Sequence, residues 1–477
     1  MRESLSHHAL RGVMWSAVER FSVQGIQFVL SIVIARLVLP SEYGLIAMQG
    51  IFLAIAQTFV DSGFSNALIQ KKDRTEVDYS TVFYFNILIA LVVYGVLFIS
   101  APYIASFYRE PELTAVTRWM GLNVMLNAFL LVQRTRLLIA SDFRTLAKTS
   151  LIAVIISGGI GVCLAWLGYG VWALIAQSLG NTFLNMMLLW WFVAWGPQRT
   201  FSMVAFRKLF TFGSRLLLGG LLHTVYLNLY TLVIGRFFNP MQVGYFNRSQ
   251  TLAVFPATNL TEIVNRTMYP ALCTLQHDEE ALIRTFFNYL RSTLFIVFPL
   301  MIGLAIMSET LIEFLLSEKW LPAAPFMSIL CIAYMWYPIM VFNWQLLNVK
   351  GRSDLSLKAE IIKKIGAFTI LFVSIPWGMN AICWGLLAYS LFDLFTISFF
   401  VGRIYPFDLR KEIVELLPIG ISTLLMGLLM YISLFLTSVL ILRLVIGMVV
   451  GIFSYLFFCY LFKLKELKFI KQILNKV

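Results

Sequence analysis

Charged residues are scarce in this chain of 477 residues, where they make up 13% of the sequence against 60% for hydrophobic residues. Soluble globular domains carry about 25% charged residues, so this composition excludes an ordinary water-soluble protein. A helix needs about 20 consecutive apolar residues to cross a bilayer, and runs of that length fill most of the sequence. The chain is therefore predicted to be an all-α polytopic membrane protein.

Cysteine and histidine are also sparse. The five cysteines form no Cys-x-x-Cys pair, so the spacing typical of zinc sites and redox centres is missing. Of the four histidines, only His223 falls inside a predicted span. We therefore expect no metal, no cofactor and no catalytic residue. A membrane enzyme and a non-transporting scaffold for glycan assembly remain as alternatives.

The net charge of +13 does not indicate nucleic-acid binding, because the basic residues concentrate in short loops between apolar runs. Alternate loops are basic, as at 71–74 and 350–358, whereas the 308–320 loop is acidic. Lys and Arg mark the cytoplasmic side of a membrane protein. Both termini are therefore predicted to be cytoplasmic and the 308–320 loop external.

The number of predicted spans is fourteen, with Gly and Pro marking many of the turns between them. They lie at 11–38, 43–66, 79–102, 113–139, 147–167, 170–194, 208–237, 241–271, 285–307, 323–348, 355–376, 378–402, 413–437 and 439–462.

One phrase occurs twice. VIARLVLPSEYGLI at 33–46 shares Val, Ile, Arg, Pro and Gly with VIGRFFNPMQVGYF at 233–246, at a constant offset of 200. Further matches follow at an offset of 212, which loop insertions explain. We predict two six-helix lobes, 1–200 and 201–412, and two extra helices in 413–477. Parallel repeats of this kind enclose a central cleft on an axis along the membrane normal; duplication for packing alone is the alternative.

The candidate substrate-binding residues share two helix faces. They are Arg20, Gln24 and Gln27 on the first span, and Arg248, Asn259 and Arg266 on the eighth. Ionisable residues within spans usually face a cavity and mark a substrate or ion path, although a packing role competes with this interpretation. Because guanidinium groups bind phosphate in a bidentate manner, the cleft is predicted to be cationic and its cargo anionic.

Two carboxylates at membrane depth, Asp61 and Glu262, are candidate coupling residues for a proton or sodium gradient. Glu262 also precedes Arg266 by four residues, the order that favours an ion pair within a helix. Asp393 is open to both interpretations: it binds a coupling ion or pairs with an arginine.

The order of several phrases resembles the multidrug/oligosaccharidyl-lipid/polysaccharide exporter superfamily, and within it the polysaccharide flippases. The phrases are RFSVQGIQFVLSIVIARLVLPSEYGLIAM at 20–48, DSGFSNALIQ at 61–70, DFRTLAKTSLIAVIISGGIGVCLAWLGYGVWALIAQSL at 142–179, VGYFNRSQTLAVFPATNL at 243–260 and LLSEKWLPAA at 315–324.

The resemblance implies a transporter that flips polyprenyl-diphosphate-linked oligosaccharide by alternating access, with Arg20 and Arg248 on the diphosphate. A cation-coupled multidrug or metabolite exporter of the same superfamily is the runner-up. The implied location is the bacterial cytoplasmic membrane. The expected partners are the lipid-linked oligosaccharide and membrane lipids, with a polysaccharide polymerase and glycosyltransferases as further candidates, and the chain is expected to be a monomer.

Overall fold

The computed structural model describes residues 22–61, 63–407 and 409–467 of the chain. The described residues form α-helices, three short 3-10 segments and turns, with no strand among them. The α-helices are α1 Ser22–Leu37, α2 Pro40–Asp61, α3 Phe64–Gln70, α4 Glu76–Tyr108, α5 Leu113–Ile139, α6 Phe143–Trp166, α7 Val171–Phe192, α8 Met203–Phe237, α9 Pro240–Thr274, α10 Glu279–Ile306, α11 Ser308–Leu316, α12 Ala324–Tyr334, α13 Tyr337–Val349, α14 Ser353–Ser374, α15 Met379–Val401, α16 Leu409–Ser433 and α17 Leu440–Leu461.

Ten helical segments among the described residues are long and apolar enough to cross a membrane. The prediction of an all-α, multi-pass membrane protein is therefore confirmed. The α14 helix is not among the ten, and it carries Glu360, Lys363 and Lys364 in its middle turns. The predicted number of fourteen spans stays a prediction.

Local chemistry sets the ends of many helices. Pro40 and Pro240 are the first residues of α2 and α9, where the fixed backbone angle of proline suits a helix start. The carboxylate of Asp142 accepts a hydrogen bond from the backbone N–H of Thr145 at 3.0 Å and caps α6. Gly378, the first residue of the predicted span 378–402, has a φ of 91°, a conformation that favours glycine.

By internal packing, the chain divides into unit 1, which ends at Gly244, and unit 2, which begins at Tyr245. The α8 helix begins after residue 200 but packs against α2, α3 and α4 within unit 1. The two units are defined by how the helices pack, whereas the repeat is inferred from matching sequence. The division into units therefore does not test the repeat. The predicted limits of 1–200, 201–412 and 413–477 stay predictions.

In unit 1, the segment that follows α7 is fastened to the start of α4. Arg136 reaches both carboxylate oxygens of Glu76, at 2.9 and 3.1 Å, and Trp195 Nε1 donates to the same carboxylate at 2.6 Å. The backbone N–H of Gln198 donates to Ser80 Oγ at 2.9 Å. The segment between α7 and α8 is therefore held against α4 by these hydrogen bonds.

In unit 2, the segment after α11 folds back onto the first turns of α9. Tyr245 OH donates to the carbonyl oxygen of Lys319 at 3.1 Å, and Ser249 Oγ donates to that of Ala323 at 2.8 Å. Trp320 between them is fully buried. These contacts hold the acidic loop predicted to be external against the helix that carries Arg248.

Candidate functional site

Unit 1 contains three of the predicted site residues. Gln24 of α1 is half-buried and Gln27 is exposed, while Arg20 lies outside the described residues. Asp61 is exposed at the end of α2, where its Oδ1 accepts a hydrogen bond from Gln57 Nε2 at 3.1 Å.

Two further polar residues of unit 1 were missed by the sequence analysis. Arg134 of α5 lies close enough to Asp61 for an electrostatic attraction. Thr224 of α8 has its Oγ1 3.1 Å from Thr58 Oγ1 of α2. Arg134 falls inside a predicted span, and an arginine inside a span is a signal for a functional residue in the sequence. The Thr58–Thr224 contact has no such signal, because it depends on the packing of α8.

The polar residues of α9 in unit 2 differ in their exposure. Arg248 is 7% exposed, whereas Arg266 is exposed at the other end of the predicted polar face. Asn259 is half-buried and donates through Nδ2 to the carbonyl oxygen of Phe255 at 2.8 Å. Of the two predicted arginines described, Arg266 is therefore exposed on the protein surface and Arg248 is buried.

Glu262 does not form the expected ion pair. No salt bridge joins it to Arg266 among the described residues; instead, its carboxylate lies within electrostatic range of the Tyr337 phenol of α13. Three residues earlier, at the end of α12, Tyr334 OH accepts a hydrogen bond from Gln250 Nε2 at 3.0 Å. The i, i+4 spacing places both charges on one helix face, but no ion pair between them forms in the described part of the chain.

Asp393 of α15 has a partner, and it is a lysine rather than an arginine. Lys363 Nζ of α14 lies 3.0 Å from Asp393 Oδ1, and the two side chains are 13% and 10% exposed. Glu360 lies 3.7 Å from the same ammonium group, and the Trp344 ring centroid is 5.2 Å from it. Asp393 therefore belongs to a buried charge cluster in unit 2.

A cavity of about 1270 Å³ lies in unit 2 between α9, α10, α16 and the segment after α17. Its apolar wall includes Ile263, Phe287 and Ile296. Arg291 lies at its edge and binds two carboxylates, Glu415 at 2.9 Å and Glu466 at 2.6 Å. The sequence analysis did not predict this cavity, because it depends on the packing of four separate segments.

The described residues contain no group of three His, Cys, Asp or Glu side chains placed to hold a metal ion. Taken separately, the candidate residues described in each unit include hydrogen-bond donors, an exposed guanidinium group and a carboxylate. Such groups suit reversible binding of an anionic, hydroxyl-rich molecule, because charge-assisted hydrogen bonds to phosphate are strong and directional.

Comparison with known sequences identifies a family. The model of the family described as "Polysaccharide biosynthesis protein" matches residues 33–325. The chain is 25% identical over 406 residues to the teichuronic acid biosynthesis protein TuaB of Bacillus subtilis, which covers 84% of this chain and 82% of TuaB. It is 26% identical over 377 residues to the lipopolysaccharide biosynthesis protein WzxC of Escherichia coli, covering 78% of this chain and 75% of WzxC.

Two solved structures share the fold. The lipid II flippase MurJ in an inward closed conformation superposes with a TM-score of 0.75 at 15% sequence identity, covering 94% of this chain and 98% of MurJ. An inward-facing multidrug resistance transporter of the MATE family gives a TM-score of 0.59 at 13% identity, covering 82% of this chain and 98% of that protein. At these identities the likeness shows the fold alone.

Proposed function

Because the chain belongs to the polysaccharide biosynthesis protein family, we propose that it flips a polyprenyl-diphosphate-linked oligosaccharide, the precursor of a cell-surface polysaccharide. The family match over 33–325 is the observation that carries this proposal. The relatives support it, since the printed names of TuaB and WzxC place them in the synthesis of teichuronic acid and lipopolysaccharide. The chain is a transporter and not an enzyme.

The proposed mechanism is alternating access, in which the repeats rock so that the binding groups face one side of the membrane and then the other. We assign the diphosphate to Arg20 and Arg248 and the neighbouring phosphate or sugar hydroxyls to Gln24, Gln27, Asn259 and Arg266. Arginine suits the diphosphate because its planar fork donates two parallel hydrogen bonds to one phosphate. Amide side chains suit hydroxyl groups because each can donate and accept.

The test is flipping in proteoliposomes that contain the purified chain and a fluorescent polyprenyl-diphosphate oligosaccharide. A glycosidase added outside reports how much of the lipid has moved between leaflets. We expect removal of the outer pool to be followed by replenishment from the inner leaflet only where the chain is present. If replenishment is equally slow in protein-free vesicles, while a cationic drug is transported, the multidrug exporter is the better assignment.

A proton or sodium gradient is proposed to drive the cycle through Asp61 or Glu262. Carboxylates at membrane depth are costly unless they bind ions or partners. Asp61 is exposed, and Glu262 forms no ion pair with Arg266 in the described part of the chain.

Replacing the responsible residue by Asn or Gln is expected to make flipping independent of the imposed gradient. Gln57→Ala is the control for the hydrogen bond to Asp61. If both acidic residues can be replaced without any change in gradient dependence, neither couples transport.

We place the chain in the bacterial cytoplasmic membrane with both termini in the cytoplasm, on the basis of the loop charges. Reporter fusions after residue 477 are expected to behave as cytoplasmic, and a fusion in the 308–320 loop as external. An external reporter at residue 477 contradicts this orientation. A polysaccharide polymerase and glycosyltransferases are proposed as functional partners of a monomeric chain.

A further inference from the structure

The cavity in unit 2 has an apolar end at membrane depth. Ile263 of α9 and Ile296 of α10 line it, and they are 50% and 54% exposed. Ile296 lies about 26 Å along α10 from the first residue of that helix. Exposed apolar surface at such a depth is stable against hydrocarbon rather than against water. The cavity volume of about 1270 Å³ also exceeds the range of about 300–1,000 Å³ that suits drug-sized ligands, so the space fits a lipid.

The other end of the cavity is lined by exposed charged side chains of both signs, and we call these five residues the mouth. They are Glu279, Glu280 and Arg284 in the first two turns of α10, Lys411 of α16, and Lys465 after α17. The segment that carries Lys465 leads to the C-terminus, which is predicted to be cytoplasmic. The mouth is therefore predicted to lie at the cytoplasmic face of the membrane.

Arg291 lies between the charged and the apolar residues of α10, and it is already neutralised. Its guanidinium group lies 2.9 Å from Glu415 of α16 and 2.6 Å from Glu466 of the segment after α17. These two ion pairs fasten both segments to α10, so they hold the walls of the cavity in place. A ligand therefore meets the charges of the mouth rather than that of Arg291.

The charges of the mouth match a headgroup that carries both signs. Arg284, Lys411 and Lys465 supply cations for a phosphate, whereas Glu279 and Glu280 supply carboxylates for an ammonium group. An anionic headgroup would satisfy the cations but would place its phosphate beside two carboxylates, and such a meeting of like charges is unfavourable. A primary ammonium group donates hydrogen bonds to carboxylates, and charge-assisted bonds of this kind are strong.

We propose that this cavity binds a membrane phospholipid with an ethanolamine headgroup. Its phosphate and ammonium groups lie in the mouth, and its acyl chains extend along Ile263 and Ile296 toward the centre of the membrane. The sequence of charged and then apolar residues along α10 has the direction of a lipid in the cytoplasmic leaflet. The proposal does not depend on which cargo the chain carries.

The first test measures headgroup preference. The purified, delipidated chain in detergent is mixed with equal amounts of phosphatidylethanolamine and phosphatidylglycerol that differ in acyl mass, and native mass spectrometry counts the lipid retained. We expect about tenfold more phosphatidylethanolamine, because a charge-assisted hydrogen bond contributes at least that factor. The Glu279→Gln, Glu280→Gln variant is expected to lose this preference. The Glu309→Gln, Glu318→Gln variant is the matched control, since both glutamates are exposed and neither lines the cavity.

The second test fills the apolar end. Ile296→Trp is expected to lower retention of phosphatidylethanolamine about tenfold, since displacing about two buried methylene groups corresponds to that factor. Ile155→Trp is the matched control, because Ile155 of α6 is 55% exposed and does not line the cavity.

Equal retention of the two phospholipids by the unmodified chain overturns the proposal, as does equal retention by the Ile296→Trp and Ile155→Trp variants. Two further outcomes assign the cavity to another occupant and also overturn it. One is release of phosphatidylethanolamine by an equal amount of a polyprenyl diphosphate. The other is phospholipid binding that requires deletion of residues 468–477.

Discussion

Replacing Lys363 by methionine is expected to lower the free energy of unfolding by about 3–5 kcal/mol, because it leaves the Asp393 carboxylate buried without its cation. The ammonium and carboxylate groups lie 3.0 Å apart on α14 and α15. Asp393 Oδ1 receives no aligned hydrogen bond among the described residues, so the attraction is mainly Coulombic. The Lys363→Met, Asp393→Leu double variant is expected to recover most of the loss, because well-packed apolar residues often replace a buried ion pair without cost.

The measurement is a double-mutant cycle of thermal unfolding in detergent, with membrane levels as a second readout. Asp393→Leu alone is expected to cost less than Lys363→Met, since Glu360 and the Trp344 ring stay near the ammonium group. Lys364→Met is the matched control, because Lys364 contacts Glu360 at 3.4 Å but its side chain is 37% exposed. A double variant as unstable as Lys363→Met would show that the cluster contributes through packing rather than charge.

Replacing Arg248 by methionine is expected to reduce flipping at least about tenfold, since a charge-assisted contact with phosphate contributes about 1.5–3 kcal/mol. Methionine keeps the apolar stem and so limits the loss of packing at a side chain that is 7% exposed. Arg248→Lys is expected to give an intermediate rate, because lysine keeps the charge but not the planar fork. The Arg20→Ala, Arg248→Ala double variant is expected to lose nearly all flipping.

The control for this series is Arg352→Ala. Arg352 is exposed in the turn before α14, where its Nε lies 2.8 Å from Asp354 Oδ1. Loss of such a surface pair has little effect on stability, and transport is expected to be unchanged. Membrane levels and unfolding midpoints separate a folding defect from a binding defect. Full flipping by the Arg20→Ala, Arg248→Ala variant at a normal protein level would remove both residues from the mechanism.

Helix boundaries were largely predictable because glycine and proline act locally. The predicted span 113–139 coincides with α5, and the predicted break at 376–378 coincides with the turn at Gly378. The starts of α2 and α9 at Pro40 and Pro240 lie within three residues of the predicted starts. The repeated phrase also predicts an internal symmetry, and this stays a prediction.

Side-chain partners could not be predicted in the same way, because they depend on which helices pack together. The Lys363–Asp393 pair requires α14 to lie beside α15, and the Tyr337 environment of Glu262 requires α13 to lie near α9. A signal for Lys363 was present, since it falls within the predicted 355–376 span. Its partner Asp393 lies on a different helix, so the sequence does not show which charge faces it.

Gly44 rests on the backbone of Pro240, and Gly244 rests on that of Pro40. If one six-helix gene was duplicated, a single proline and a single glycine in the ancestor would have supplied both halves of this reciprocal contact in a homodimer. The two copies differ elsewhere: Met48 stands where the second copy has Arg248, and Gly220 stands where the first has Arg20. Under such a duplication, asymmetric charges are acquired one at a time, while the proline and the glycine of the contact stay the same in both copies.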